Sequence, residues 1–206
     1  SGVDPTLRAK VAQGLLRDRG YFGASVSFEE QTGRNPKKAK IGYVVNVGQL
    51  HTIDTLTYNG FPSEATALID STVSQSLIKP GDPFDVSSLD AERSRISTLF
   101  RNNGYYYYQP SYASYLADTL SENGKANMRL QLADNVPGRA MHKWYLGDIT
   151  LKMRRQYTDL LSNVFKYRFF SMYYDGKRPP MRARVLMKNI KMRHGQQFNY
   201  ESYVQS

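Results

Sequence analysis

Apolar residues recur along this chain with two alternating periods, and each switch of period marks a new element. Leu7, Val11 and Leu15 fall every fourth residue, which predicts a helix with that stripe turned to a core. Asp4 suits its N-cap, Pro5 its first position and Gly20 its stop. Ala24, Val26 and Phe28 then alternate with Ser25, Ser27 and Glu29, a half-buried strand. Residues 31–38, with Gly33, Asn35 and Pro36, read as a hairpin loop, and Ile41, Tyr43, Val45 and Val47 as the returning strand. A β-branched strand follows over residues 50–58, closed by Asn59-Gly60. Ser63 then caps a helix to about Leu77, with Leu68, Ile69, Val73 and Leu77 inward. Pro80, Gly81 and Pro83 force a tight turn, and Asp85 caps a second helix whose apolar face is Val86, Leu89, Ile96, Leu99 and Phe100. Gly104 stops it. The tyrosine run after it predicts an extended strand to about Ala117. Pro110 has no N–H for a ladder, so that strand belongs at a sheet edge. After a turn at Asn123-Gly124, Met128, Leu130 and Leu132 alternate with Arg129 and Gln131 in a further strand. Residues 145–151 open one more strand, residues 166–174 are aromatic and strand-like, Asp175-Gly176 signals a hairpin turn, and residues 181–192 read as a helix with Val185, Leu186 and Ile190 apolar.

The order repeats. Leu15 to Phe22 aligns with Leu99 to Tyr106 at an offset of 84, and Gly81 to Phe84 with Gly195 to Phe198 at an offset of 114. Ile53 and Leu56 align with Leu146 and Ile149 at an offset of 93, so 21 extra residues enter the last copy within residues 152–180. Three units result: the C-terminal part of one over residues 1–48, a complete strand–helix–helix–strand–strand unit over 49–136, and the N-terminal part of a third over 137–206 with an inserted aromatic and basic segment. The fold class expected is α+β, a three-stranded mixed sheet packed on two helices, with the outer units truncated. Gly20 and Gly104 are read as helix stops without a contact role.

Composition adds one asymmetry. The net charge of +10 is confined to the last third: residues 1–138 hold 14 basic and 14 acidic side chains, residues 139–206 hold 14 and 4. The absence of cysteine excludes disulfides and thiolate metal sites. No apolar run approaches the roughly 20 residues of a membrane-spanning helix. His51, His142 and His194 have no neighbours at metal-ligand spacing, and no nucleophile elbow, Walker or dinucleotide fingerprint occurs. These observations predict no cofactor, no metal and no enzyme.

The β-α-α-β-β order, the Pro80-Gly81-Asp82-Pro83-Phe84 turn and the Asn103-Gly104-Tyr105-Tyr106 step resemble POTRA domains of BamA/TamA-like outer-membrane assembly factors, and the insertion is similar to that of the Bacteroidota TamA-like type. The resemblance implies a sheet ordered first–third–second strand, a periplasmic location and a C-terminal outer-membrane β-barrel as the module's own partner. It also implies unfolded outer-membrane proteins as clients and other subunits of an assembly complex as partners. The client edge it implies is Tyr107, Tyr108, Gln109, Ser111, Tyr112, Ala113 and Tyr115, which would accept a strand by β-augmentation. Arg154, Arg155, Lys166, Arg168, Arg182 and Arg184 form a candidate surface for anionic lipid headgroups or a partner. Nucleic acid, which basic and aromatic residues also suit, conflicts with that location. The other reading from a different class is a structural spacer or scaffold that recruits accessory proteins or lipid headgroups without binding clients.

Overall fold

A computed structural model describes residues 4–32, 39–119 and 124–206. The chain forms two compact units, residues 1–95 with 110–134 and residues 96–109 with 135–206. Among the described residues no helix is long and apolar enough to cross a membrane.

In the first unit α1 (Pro5–Asp18) starts as its sequence dictates: the Asp4 carboxylate accepts from the N–H groups of Thr6 and Leu7 at 2.9 and 3.3 Å. It lies against β1 (Ser25–Thr32), which pairs antiparallel with β2 (Ala39–Asn46). The expected hairpin loop falls largely outside the described residues. The Leu7, Val11 and Leu15 stripe is exposed, contrary to expectation. The helix sits on a ribbon of only two strands, which covers a narrow face marked by buried Ala9 and by Gln13, whose amide donates to the Ala24 carbonyl at 2.9 Å.

The same unit holds β3 (Thr52–Asn59), α2 (Ser63–Ser71), β4 (Ala113–Asp118), β5 (Lys125–Leu132) and the first part of α3 (Val86–Asn102). The sheet order is β3-β5-β4, with β3 parallel and β4 antiparallel to β5. This is the first–third–second arrangement, and the α+β class holds. Ile53, Ile78, Phe84, Leu89, Ala126 and Met128 form one buried cluster joining β3, β5, the turn and α3. Ser63 does not cap α2; it is the first helical residue, and Pro62 occupies the cap position. The helix also ends early. The Ser71 and Thr72 hydroxyls donate to carbonyls of the last turn, Leu68 and Ile69, and a 3-10 turn follows, so Val73 and Leu77 are exposed rather than inward.

The tyrosine run is not a strand. Gly104 has φ +96°, Tyr105 N–H bonds back to Phe100 C=O at 3.1 Å, and Tyr108 N–H to Tyr105 C=O at 3.1 Å. Tyr105 and Tyr108 are buried against Phe100, with ring centroids 5.4 and 4.8 Å away. Aromatic packing on the helix end outweighs strand propensity here. Pro110 opens a 3-10 turn, Pro110–Tyr112, and the strand begins only at Ala113.

In the second unit β6 (Ile149–Met153), β7 (Asn163–Tyr167) and β8 (Phe170–Tyr174) form a sheet ordered β6-β8-β7. Here β6 and β8 are parallel and β7 and β8 antiparallel, the same pattern as β3-β5-β4. The insertion therefore supplies two of the three strands. Its hairpin reverses at Arg168-Phe169, with Arg168 at φ +53°, and not at Asp175-Gly176. Those two residues clamp the open end instead: Asp175 accepts from the Ser162 hydroxyl, and the Gly176 carbonyl from the Asn163 amide. Two short helices, α4 (Ala183–Asn189) and α5 (Tyr200–Val204), complete the unit.

One buried group was illegible in the sequence. Glu92 on α3 is fully buried. Its carboxylate takes two hydrogen bonds from Arg95 (2.7 and 2.8 Å), one from the Leu77 N–H (2.9 Å) and one from the Tyr58 hydroxyl (3.2 Å). Burial pushes the Glu92 pKa up, but these donors outweigh it and hold the carboxyl below its ordinary range. Burial and the same carboxylate push the Tyr58 phenol up to about 12. A carboxyl with a depressed folded pKa stabilises above its unfolded value, and that contribution is lost as pH falls through the folded one. Glu92→Gln is therefore expected to lower unfolding free energy by about 3 kcal/mol at neutral pH by stranding Arg95. In urea titrations the gap to the parent should shrink strongly between about pH 7 and about pH 3; an equal gap at both would show that ionised Glu92 is not the holding group.

Candidate functional site: an open sheet edge and two repeated joints

Both copies of the repeat build the same main-chain joint. In the first unit His51 N–H donates to Gly20 C=O (3.0 Å) and Phe84 N–H to His51 C=O (2.9 Å). In the second unit Trp144 N–H donates to Gly104 C=O (2.8 Å) and Phe198 N–H to Trp144 C=O (2.8 Å). The turn beside each joint is fixed alike. Ile53 N–H donates to Asp82 C=O and Gly81 N–H to Ile53 C=O (2.8 and 2.7 Å), while Leu146–Gln196 and Gly195–Leu146 match them at 2.8 and 2.7 Å. An edge-to-face aromatic pair seals each joint, Phe22 on Phe84 and Tyr106 on Phe198, both at 4.8 Å. Helix caps follow at equivalent positions: Asp85 accepts from Ser87 N–H and Asn199 from Ser202 N–H. Asp85 is held below the usual carboxylate range, first by Ser87 and also by the Arg19 guanidinium paired with it.

The glycines thus have a contact role that the sequence reading denied them. A Cβ on Gly20 would stand 3.0 Å from the Phe84 carbonyl oxygen and 3.1 Å from that of His51. On Gly104 it would meet the Gln197 side chain at 2.9 Å.

The joint also decides which sheet edge stays open. The turn covers the start of β3 through the Thr52–Pro83 bridge and the bonds to Ile53. Among the described residues no strand pairs with the outer side of β4. Ala133 N–H bonds Tyr112 C=O at 2.9 Å, which makes 112/133 a hydrogen-bonded pair and puts 114/131, 116/129 and 118/127 in phase with it. The N–H and C=O of Tyr115 and Ala117 therefore point away from β5. Arg93 of α3 braces the start of the edge by donating to Ala113 C=O at 3.4 Å.

Of the seven expected edge residues, only Ala113 and Tyr115 lie in β4. Tyr107, Tyr108 and Gln109 lie in the aromatic turn, and Ser111 and Tyr112 in the 3-10 turn. Tyr107 is engaged by Trp144 (5.2 Å, edge-to-face) and by the Arg139 guanidinium at 4.9 Å. The Tyr115 ring packs beside the core, and burial raises its phenol pKa. Exposed Leu116 and Ala117 lie within the expected edge strand but were not among the contact residues named for it. Their signal was present in the register of the alternating strand 126–133, once the strand start is moved to Ala113.

The six basic candidates are exposed but scattered over three places. Arg154 and Arg155 sit in the turn after β6, where Arg154 lies over Tyr157 and the Arg155 N–H bonds Asp159. Lys166 is on β7 and Arg168 at its hairpin turn; Arg182 and Arg184 flank the start of α4. The second unit has an open edge of its own in β7, all of whose residues are exposed.

No model of a protein family matches the sequence, and neither does any curated protein. Solved structures do resemble it. POTRA domains 3–5 of Haemophilus influenzae BamA are 13% identical over 100% of this chain and 67% of that one, with a TM-score of 0.48. BamA of Haemophilus ducreyi lacking POTRA domains 1–3 is 16% identical over 64% of this chain and 23% of that one (TM-score 0.42). The N-terminal domain of Omp85 from Thermosynechococcus elongatus is 14% identical over 100% and 70% (TM-score 0.33). At such identities no residue role carries across.

Alanine at either glycine meets left-handed strain of about 1–2 kcal/mol. At Gly104 the opposing atoms are a side chain that can swing aside; at Gly20 they are backbone. Gly20→Ala is expected to cost more than Gly104→Ala and to strip hydrogen-exchange protection from the His51 and Phe84 amides, whereas Gly104→Ala loosens Trp144 and Phe198 less. Equal protection in both variants and the parent would remove the joint from the argument.

Proposed function

We propose that this chain is a non-catalytic periplasmic POTRA module of an outer-membrane protein assembly factor of the TamA-like type, which receives unfolded β-barrel polypeptides and hands them to a membrane barrel. The observation that carries the reading is the β4 edge, whose outward N–H and C=O groups at Tyr115 and Ala117 are set to pair with an added strand. Main-chain pairing tolerates many client sequences, because every non-proline residue offers a donor and an acceptor. The sheet order β3-β5-β4 supports the POTRA assignment that the repeat motifs imply. The partners that follow are unfolded outer-membrane proteins, a barrel and other assembly subunits. The second reading is a spacer or scaffold that recruits accessory proteins or lipid headgroups and binds no client.

Ala117 separates the two readings. It is exposed and its N–H points outward, so proline there removes an augmentation donor without touching the β5 ladder, whereas Leu116→Pro breaks a ladder bond. In an NMR titration with a peptide copying an amphipathic outer-membrane β-strand, saturable amide shifts are expected over Ala113–Asp118. Ala117→Pro should weaken binding about tenfold while leaving the rest of the spectrum in place. Absence of shifts at millimolar peptide would favour the spacer.

A further inference from the structure

The second unit contains a cleft of about 610 Å³ between the β7–β8 hairpin turn and the segment leading into the Gly195 turn. Arg168, Lys188, Lys191 and Arg193 stand on its wall, and no carboxylate does. Among the described residues none of these four side chains is ion-paired. The larger share of the wall is apolar, contributed by Phe169, Phe170, Met187 and Met192 among others. Phe169 is half exposed and stacks flat on His194, with centroids 3.7 Å apart and planes 6° from parallel. That stack is held from both sides: Phe169 C=O accepts from Ile149 N–H at 2.8 Å, and His194 Nδ1 lies 3.3 Å from Asp148, which is outside the cleft lining.

The repeat supplies an internal reference. By the offset of 114, Ser74, Leu77 and Lys79 of the first unit correspond to Lys188, Lys191 and Arg193. Two of three aligned positions gain a cation. The nearby small cleft of the first unit, about 210 Å³, is lined instead by Asp82 and Asp85 with no cation. The backbone joint next to these positions has the same bonds in both copies. The fold therefore does not require the added charge.

Four cations without a carboxylate partner, Arg168 lying over the Tyr167 ring at 5.6 Å, beside a soft apolar floor match one chemistry, an anionic head carried on a hydrocarbon body. We propose that this cleft binds a phosphate-bearing lipid, its phosphate held by Lys188, Lys191, Arg193 and Arg168 and its first methylenes laid over Phe169, Met187 and Met192. The site lies in the second unit only, so it stands whether or not β4 accepts a strand.

The test uses the whole chain, vesicles of phosphatidylglycerol in phosphatidylcholine, vesicles of phosphatidylcholine alone, and a monomeric short-chain phosphatidylglycerol. Co-sedimentation is expected with the anionic vesicles only. Lys188→Glu/Lys191→Glu should reduce it at least about tenfold. Lys177→Glu/Arg178→Glu, two exposed residues outside the cleft whose exchange changes net charge equally, should reduce it less than about threefold. In NMR spectra the short-chain lipid should shift the Met187 and Met192 methyl groups, and inorganic phosphate at the same concentration should not. Equal losses for the two double variants would mean that diffuse charge, not the cleft, binds. Equal shifts with inorganic phosphate would make it a bare anion site, and tighter binding of an acidic aromatic peptide than of the lipid would make it a peptide groove. Each of these results overturns the proposal, and a peptide titration that fails at β4 leaves it untouched.

Discussion

At Gly20 the chain leaves a helix in a left-handed conformation, φ +90°, and that single turn aims its carbonyl at the N–H of His51. His51 passes the connection to Phe84 through its own carbonyl, and the turn carrying Phe84 is bonded in turn to Ile53 at the head of β3. The placement of Asp85 at the cap of α3 follows from the position of that turn, and the buried Glu92 two turns further follows from α3. The links that the two copies share are main chain, so the side chain at the centre differs between them: histidine in the first copy, whose Nδ1 also lies 3.2 Å from Gly20 C=O, and tryptophan in the second. Glycine is not free to change, since a Cβ at Gly20 would meet two backbone carbonyls at 3.0–3.1 Å. A neutral hydrogen bond is worth only about 1 kcal/mol net, so the joint's strength lies in its bonds forming together with the aromatic pair that shields them.

The same turn explains why one edge of the β3-β5-β4 sheet is covered and the other bare. Bonds from Gly81 to Ile53 and from Ile53 to Asp82 use the outer side of β3. On the far side, among the described residues, β4 pairs only with β5, and what restrains it comes from beneath. Arg93 donates to Ala113, and Tyr115 packs beside the core. Bare edges invite unwanted pairing. This one is short, six residues, and ends on Asp118, which limits indiscriminate association while leaving two outward donors.

Much of this was legible in the residues. Asp4 and Asp85 cap the helices their positions predict, and the alternation Met128, Leu130, Leu132 faces the core. These features are local, so sequence spacing alone determines them. The misreadings arise where a distant partner decides. Tyrosines 105–108 have strand propensity, yet Phe100 and the left-handed Gly104 curl them into a turn. The edge position of β4 was inferred from Pro110, which lies outside the strand; the edge exists because β5 separates β3 from β4. The hairpin at Arg168 lacks the asparagine or glycine that would announce it. Glu92 carries no signal in the sequence, because its partners come from β3 and from the stretch before the turn. The repeat itself was visible, but its meaning as a joint needed the close approach at Gly20.

A repeat within one chain separates what the fold requires from what it merely permits. Bonds at the two joints agree within about 0.2 Å although few of the surrounding side chains match. Positions that are alike in both copies, Gly20 with Gly104 and Phe84 with Phe198, therefore belong to the architecture. Positions that differ in charge beside an unchanged backbone are under no architectural constraint. Lys191 in place of Leu77 is of that kind, and like-charged side chains clustered without counter-ions repel one another. The second unit concentrates such repulsion around an apolar floor, where a fold selected for stability alone would have placed acidic or neutral residues. Charge held against its own repulsion in one place indicates an anion that comes from outside the chain.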